Sequence, residues 1–481
     1  MKENRWFGFI VSIVLILSIF YPTGAFAENN RTLEDESIYD LLVDRYNNGD
    51  YENDLDIDTR DMSAFSGGDF AGIVSRLQYL VDLGFTSVSL GPIFSTATYD
   101  GSEVLDYGKL EPHFGTDGDL KEMINALHEK EIGVIADFPM SGVSENHVWV
   151  KDGTLPSTPA AEGTVDWDSS DAKVKEMLKG AIISFIQAYD LDGIRLTKLA
   201  DFDEDFLNEV IAEIKEVNAD IYVISTEISP ANFDTVPHAE KIDALRQAYV
   251  QIDPDTSQLE LFEDNVGTDF IQFDELTGAR FTYDMLELRM FPPTRWKLAA
   301  TALFTLPGIP VMPYGSEIAV NGEGPPESHP ISNFKTDMEL NEYIADLNQL
   351  RNESETFRNG DLEVLQNEDG FTVFKRSSEE ETWIIAINNT SEVASIEITE
   401  DIIGENKRMR GVLDGDSVKQ GKDGVYRIVL EREIAEAYFV EEDKGFNWLY
   451  LSASILIFGT FFVFLFIMWR KGKKRAKEVT E

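Results

Sequence analysis

From about residue 37 to residue 345, short apolar runs rich in β-branched residues alternate with longer amphipathic stretches. That alternation constrains the fold most, because a β-run, a helical stretch and a second β-run in succession join two parallel strands through a crossover helix. Ile38 to Tyr46, Thr86 to Ile93, Ile132 to Phe138, Gly193 to Leu199, Ile221 to Glu227, Arg280 to Asp284 and Ile309 to Tyr314 read as strands, with the sixth barrel strand expected between residues 240 and 275. Ile73 to Leu83, Asp119 to Lys130, Ala172 to Ala188, Glu204 to Val217 and Arg295 to Phe304 carry helical periodicity, and Asp171 is placed to cap the third of them. After about residue 358 the pattern changes to short strands separated by turn residues, such as Leu362 to Gln366 and Thr382 to Asn388. A barrel of this kind commonly takes about 250 residues. The expected fold is a (β/α)8 TIM barrel within residues 28–357, followed by a C-terminal antiparallel β-sandwich over 358–441.

Both ends of the chain carry membrane signals. Lys2 and Arg5 precede an apolar run from Trp6 to Phe20, and Ala25-Phe26-Ala27 gives a small-x-small cleavage pattern, so residues 1–27 read as a secretory signal peptide. From Trp448 to Trp469 run 22 uncharged, largely apolar residues. At about 1.5 Å per helical residue they span roughly the 30 Å of a hydrocarbon core. Residues 470–481 include Arg470, Lys471, Lys473, Lys474, Arg475 and Lys477, a cluster that retains its flank in the cytoplasm. The expected topology is single-pass in the cell membrane, with an extracellular N-terminal ectodomain and a short cytoplasmic tail.

Eighty-eight acidic against forty-one basic residues give a formal charge of −47, which repels nucleic acid and anionic surfaces. Cysteine is absent, so an exported domain of this composition depends on its core and on bound metal rather than on disulfides. The five histidines lack pairwise ligand spacing, which disfavours a transition-metal site.

The run Gly193-Ile194-Arg195-Leu196-Thr197-Lys198-Leu199-Ala200-Asp201 resembles the fourth barrel strand of the alpha-amylase family (glycoside hydrolase family 13), Gly-Phe-Arg-x-Asp-x-x-x-His. Arg195 matches, Thr197 stands at the aspartate nucleophile's position and Asp201 at the histidine's. Leu90-Gly91-Pro92-Ile93-Phe94, Pro112-His113-Phe114-Gly115-Thr116 and Tyr314-Gly315-Ser316-Glu317 resemble the same family in the same order. The resemblance implies an enzyme that cleaves α-glucosidic bonds with retention, using a carboxylate nucleophile and a carboxylic acid about 5 to 5.5 Å apart. It assigns Glu227 as the acid and Arg195 to substrate binding. It also sets Phe281-Thr282-Tyr283-Asp284-Met285-Leu286 on the motif of the second aspartate, with Leu286 in its place. Asp137 is kept at the end of the third strand, whereas Ser141 and Gly142 replace an asparagine and a histidine, and Ser102 replaces the tyrosine that stacks on sugar. Tyr99, Trp149 and Trp167 are candidates for sugar stacking, with packing in the core as the alternative.

A threonine hydroxyl attacks only when a base activates it, and removing one member of a catalytic unit costs about 10⁴ to 10⁶ in rate. The resemblance therefore implies a barrel that has lost ordinary hydrolysis and binds an α-glucan, a cell-envelope glycan or another membrane protein. The alternative is an active α-glucan hydrolase or transglycosidase with a rearranged site, drawing its nucleophile from Asp201, Asp284 or Glu287. A calcium loop is also implied by resemblance to cyclodextrin glucanotransferases. Asn48, Asp50, Asn53, Asp54 and Asp69 would offer side-chain oxygens and Gly67 a carbonyl. The alternative there is an acidic surface turn rich in Asn, Asp and Gly.

Overall fold

The structure, a computed structural model, describes residues 31–478 except Glu162, Ala200, Asp201, residues 264–266, Asp337, Lys444, Phe446 and Asn447. The expected signal peptide and Asp201 lie outside the described residues.

Parallel strands form one sheet in the order Tyr222–Ser225, Gly193–Thr197, Gly133–Pro139, Ser87–Pro92, Ile38–Asp40, Ile309–Pro313 and Phe270–Ile271. Counted from Ile38–Asp40, these are the fifth to first strands of a barrel, then the eighth and seventh. The sixth place belongs to Thr235, which makes a lone parallel bridge to Ile224 and accepts the Ser225 N–H at 3.1 Å. Pro237 follows, without an N–H for the ladder, and a helix starts at Ala239, so this strand cannot lengthen. The sixth strand thus precedes the expected 240–275 window, which holds the helix Ala239–Val250 and the seventh strand instead.

The strand expected at Arg280 to Asp284 is a helix, Phe281–Glu287. Phe281 and Met285, four residues apart, are both buried on one face, a helical rather than a strand period. The first strand is shorter than expected, ending at Asp40, and Val43–Tyr46 forms a helical turn. The helix expected over Ile73 to Leu83 is two, Phe70–Ser75 and Leu77–Leu83, parted at Arg76, whose backbone leaves the helical region. The helix Ala172–Ala188 begins where the Asp171 carboxylate accepts the N–H groups of Lys173 and Val174. Its buried Val174, Leu178, Ile182 and Phe185 recur at helical spacing and face the barrel.

The C-terminal residues form a six-stranded antiparallel sheet from Asp361–Glu368 to Ile434–Glu442, faced by the pair Ala394–Thr399 and Val425–Leu430. In the strand Thr382–Asn388, Ile384 and Ala386 pack into the sandwich with Ile398, Tyr426 and Ile428. The alternate residues Trp383, Ile385 and Ile387 join the barrel core. That second face rests on the helix Pro292–Thr305, which is buried almost all round because barrel and sandwich cover opposite sides. A final helix, Trp448–Glu478, contains a 21-residue stretch, Leu451–Lys471, long and apolar enough to cross a bilayer.

Candidate functional site

A cavity of about 800 Å³ opens where the barrel strands end. Side chains two apart on a strand share a face, so Arg195 and Thr197 point into the barrel mouth while Ile194 and Leu196 are buried among the helices.

Arg195 organises the floor. Its Nε donates to Asp137 Oδ1 at 2.6 Å and its Nη2 to Asp137 Oδ2 at 2.9 Å. Nη1 and Nη2 also donate to the two oxygens of Asp40 on the first strand, at 3.2 and 3.0 Å. Burial alone would lower the guanidinium's pKa, but Asp137 and then Asp40 outweigh it and raise the value, so the cation is fixed. One cation therefore consumes two of the carboxylates lining the cavity.

Thr197 lines the cavity, and its carbonyl accepts the Met140 N–H at 2.7 Å. Among the described residues no base hydrogen-bonds its hydroxyl. Glu227 lines the cavity from the end of the fifth strand and is exposed; its Oε1 accepts the Leu199 N–H at 3.2 Å. Ser225 locks the turn behind it, donating to the Glu227 carbonyl at 2.6 Å and accepting the Glu227 N–H at 3.0 Å.

The loop after the seventh strand corrects the placement of the second acidic position. Leu286 lies on the exposed side of the helix Phe281–Glu287, 47% exposed, and does not line the cavity. Gln272, Asp274 and Glu275 line it instead. Asp274 is committed to structure: it accepts Arg280 Nε at 2.9 Å and Nη2 at 2.6 Å, the Ser316 hydroxyl at 2.7 Å and the Phe281 N–H at 2.7 Å, all buried. Asp284, a candidate replacement nucleophile, pairs with Arg246 at 2.7 Å outside the cavity, and Glu287 does not line it either. The lining carboxylates without a salt bridge among the described residues are Asp100, Glu227 and Glu275. Sequence reasoning missed Gln272 and Glu275 because a two-residue strand carries no periodic signal. The only cue was the apolar pair Phe270-Ile271 running into Asp274-Glu275.

Tyr99 lines the cavity, but one face of its ring lies under the Arg45 guanidinium, 3.8 Å away. Its hydroxyl is 2.8 Å from His329 Nδ1, and His329 Nε2 is 2.7 Å from the Leu276 carbonyl. A carbonyl only accepts, so Nε2 carries the proton and Nδ1 accepts from the tyrosine. Burial pushes the His329 pKa down, in keeping with a neutral ring. Trp149 and Trp167 do not line the cavity. They pack with Tyr107 and His147 at ring separations of 5.0 to 5.9 Å, as core aromatics.

In the loop considered for calcium, Asn48 Oδ1 and Asn53 Oδ1 are buried without a donor. Asn48 Nδ2 donates to Asp54 Oδ1 at 2.8 Å, and Gly67 lies against both side chains. Two orphaned buried oxygens beside a carboxylate suit a hard cation. Asp69 departs from the expected ligand set: it accepts Gly49, Asp50 and Gly72 N–H groups at 3.0, 2.9 and 2.5 Å and Asn53 Nδ2 at 3.3 Å. Those four donors use its acceptor positions, so it braces the loop and caps the helix Phe70–Ser75. Among the described residues no group of three or more His, Cys, Asp or Glu side chains is arranged for a metal.

Residues 40–177 match the alpha amylase catalytic-domain family, and residues 360–438 match the alpha-amylase C-terminal domain. A cyclomaltodextrinase of Geobacillus thermopakistaniensis is 26% identical over 389 residues, covering 71% of this chain and 66% of that relative, just under two thirds of its length. The crystal structure of an Anoxybacillus alpha-amylase superposes with a TM-score of 0.82 at 33% identity, covering 86% of this chain and all of that one. An alpha-amylase of Geobacillus thermoleovorans solved with acarbose gives 0.80 at 33% identity, with 86% of this chain and 100% of that chain covered.

Proposed function

Because this chain belongs to the alpha-amylase family, we propose that the cavity at its barrel mouth receives an α-glucan and holds it without ordinary retaining hydrolysis. Support for the ligand comes from the family and from the acarbose-bound relative. The observation that carries the loss of hydrolysis is Thr197, a residue without an acidic oxygen, in a mouth where Arg195 occupies Asp40 and Asp137 and where Arg280 occupies Asp274. Glu227 lines the same mouth, and the matching nucleophile position offers it no carboxylate.

A second reading is an active hydrolase or transglycosidase with a rearranged site. The names of the relatives favour it, since a cyclomaltodextrinase and alpha-amylases are hydrolases, and Glu275 and Asp100 line the same cavity as Glu227. The two readings separate in one experiment: calorimetric binding of maltoheptaose by the full-length protein, run beside a reducing-end assay. Binding without new reducing ends supports the first, and turnover that Glu227→Gln abolishes supports the second.

Membrane attachment belongs to the same proposal. The span Leu451–Lys471 would anchor the chain, and the basic flank from Arg470 would keep the tail cytoplasmic, leaving barrel and sandwich outside. Calcium would bind at Asn48, Asp50, Asn53, Asp54 and the Gly67 carbonyl, where two buried amide oxygens lack donors, and would tie the loop after the first strand. Competition with maltoheptaose would distinguish an envelope glycan or a membrane protein as the partner of the same mouth.

A further inference from the structure

Helices that follow barrel strands start beside the mouth and end at the far end, where the next strand begins. Pro292–Thr305 marks both levels. Near its start Trp296 Nε1 donates to Thr282 Oγ1 at 2.8 Å, on the helix that follows the mouth loop of the seventh strand, and Thr305 lies just before the eighth strand. Glu339–Glu353 also ends far from the mouth, because Arg351 Nη2 donates to the carbonyls of Glu36 at 3.3 Å and Gly308 at 3.0 Å, which precede the first and eighth strands. The sandwich is clamped at the same two levels. Arg295, near the start of Pro292–Thr305, bonds Asn389 and Glu433. At the far end Arg376 donates to the carbonyls of Thr305, Thr356 and Phe357, and the Trp383 ring lies 4.9 Å from those of Phe357 and Phe439. Glu433 precedes the last strand, Ile434–Glu442, and Phe439 lies towards its end, so that strand runs from the mouth side to the far end. Ion pairs hold the outgoing residues to the sheet: Arg408 with Glu441, Lys407 with Glu442, and Lys419 with Asp443 at 3.0 Å. Only residues 444–447 then separate Asp443 from the apolar helix that starts at Trp448.

We propose that the ectodomain stands on its far end with the mouth turned away from the bilayer, so that the mouth takes a glucan chain offered from the water and not a glycan carried on a lipid of the same membrane. This rests on the membrane attachment and the α-glucan ligand proposed above, and adds an orientation to them. The chain from Asp443 to Trp448 reaches at most about 18 Å. The helix Pro292–Thr305 alone, 14 residues at about 1.5 Å each, separates mouth from exit by about 20 Å, and the mouth loops add to that. Turning the mouth onto the headgroups would lift the exit beyond the reach of its own linker, unless the three ion pairs broke and the last strand peeled away.

The chain has no cysteine, so a single introduced cysteine reports a single place. The full-length protein is reconstituted in phosphatidylcholine vesicles carrying an acceptor dye on the headgroups, floated to confirm anchoring, and labelled from outside with an impermeant maleimide donor. Glu379 is exposed in the far-end hairpin between Phe371–Ser377 and Thr382–Asn388, and Asp152 is exposed in the loop after the third barrel strand, on the mouth side. Energy transfer in Glu379→Cys should be at least about twice that in Asp152→Cys, given the height of about 20 Å between them. A second pair should repeat that order: Lys422→Cys, close to Lys419 at the exit, and Glu323→Cys, after the eighth strand. Fluorescent soluble starch should bind as tightly on vesicles as in detergent. Equal or reversed transfer in both pairs, or starch binding lost on vesicles alone, would overturn the orientation while leaving the anchor intact. Protein that fails to float with the vesicles would remove the anchor, and the orientation with it. Starch binding absent in both settings would remove the glucan ligand.

Discussion

Arg195 grips Asp137 with two parallel hydrogen bonds, Nε to Oδ1 at 2.6 Å and Nη2 to Oδ2 at 2.9 Å, joining the fourth and third barrel strands across the mouth. Asp40 adds a second carboxylate to the same guanidinium. Removing the cation would leave two largely buried carboxylates facing each other. Arg195→Gln should therefore cost about 3 to 5 kcal/mol of stability, the usual penalty for breaking a buried pair. Urea denaturation would measure it, and an unchanged midpoint would show that the pair is not structural.

Asp274 and Glu275 are neighbours with different expected roles. Asp274→Asn leaves the fully buried Arg280 without its counter-charge and should lower the melting temperature markedly. Glu275→Gln should leave melting nearly unchanged and weaken maltoheptaose binding. Paired thermal and calorimetric measurements check both, and a reversed pattern would mean that the cavity carboxylates have been assigned the wrong way round.

His128 ends the helix Asp117–His128 and makes a 2.8 Å contact from Nε2 to Asp192 Oδ2, with Asp190 nearby. The hydrogen bond to Asp192 raises the His128 pKa, against partial burial. A raised histidine pKa contributes stability that is full below the unfolded value of about 6.5 and is lost as pH rises through the folded value. The stability difference between wild type and His128→Gln should therefore be largest near pH 5.5 and shrink above neutrality. A difference that grows with pH would contradict the pairing.

If calcium occupies the loop between Asn48 and Gly67, adding it should raise the melting temperature and a chelator should reverse the effect. At a hundredfold excess over its dissociation constant the ion would add about 2.7 kcal/mol. Asn53→Ala removes one orphaned oxygen and should abolish the calcium-dependent part of the shift. Identical melts with calcium and with chelator would leave the loop as an acidic turn.

Legibility in the sequence followed the range of the forces involved. The helices Ala172–Ala188 and Glu204–Val217 could be read because local events define them: Asp171 and Asp203 cap their first turns, and their apolar residues recur on one face. The seventh strand could not, since Phe270–Ile271 is too short to show a period, whereas the motif resemblance at Phe281 to Leu286 falls on what is a helix. Glu227, Arg195 and Thr197 were found by motif and do share one cavity. Their surroundings come from tertiary contacts between distant segments, such as Asp40 with Arg195 and Lys198 with Ser102, which no local pattern encodes.

The most direct measurement is turnover of a chromogenic maltooligosaccharide by the full-length protein in detergent, compared with its Glu227→Gln variant, alongside calorimetric binding of maltoheptaose. The expected result is saturable binding by the wild type, with product release no faster than in the variant. Turnover that disappears in Glu227→Gln would contradict it and identify a working glycosidase with a nucleophile other than Thr197.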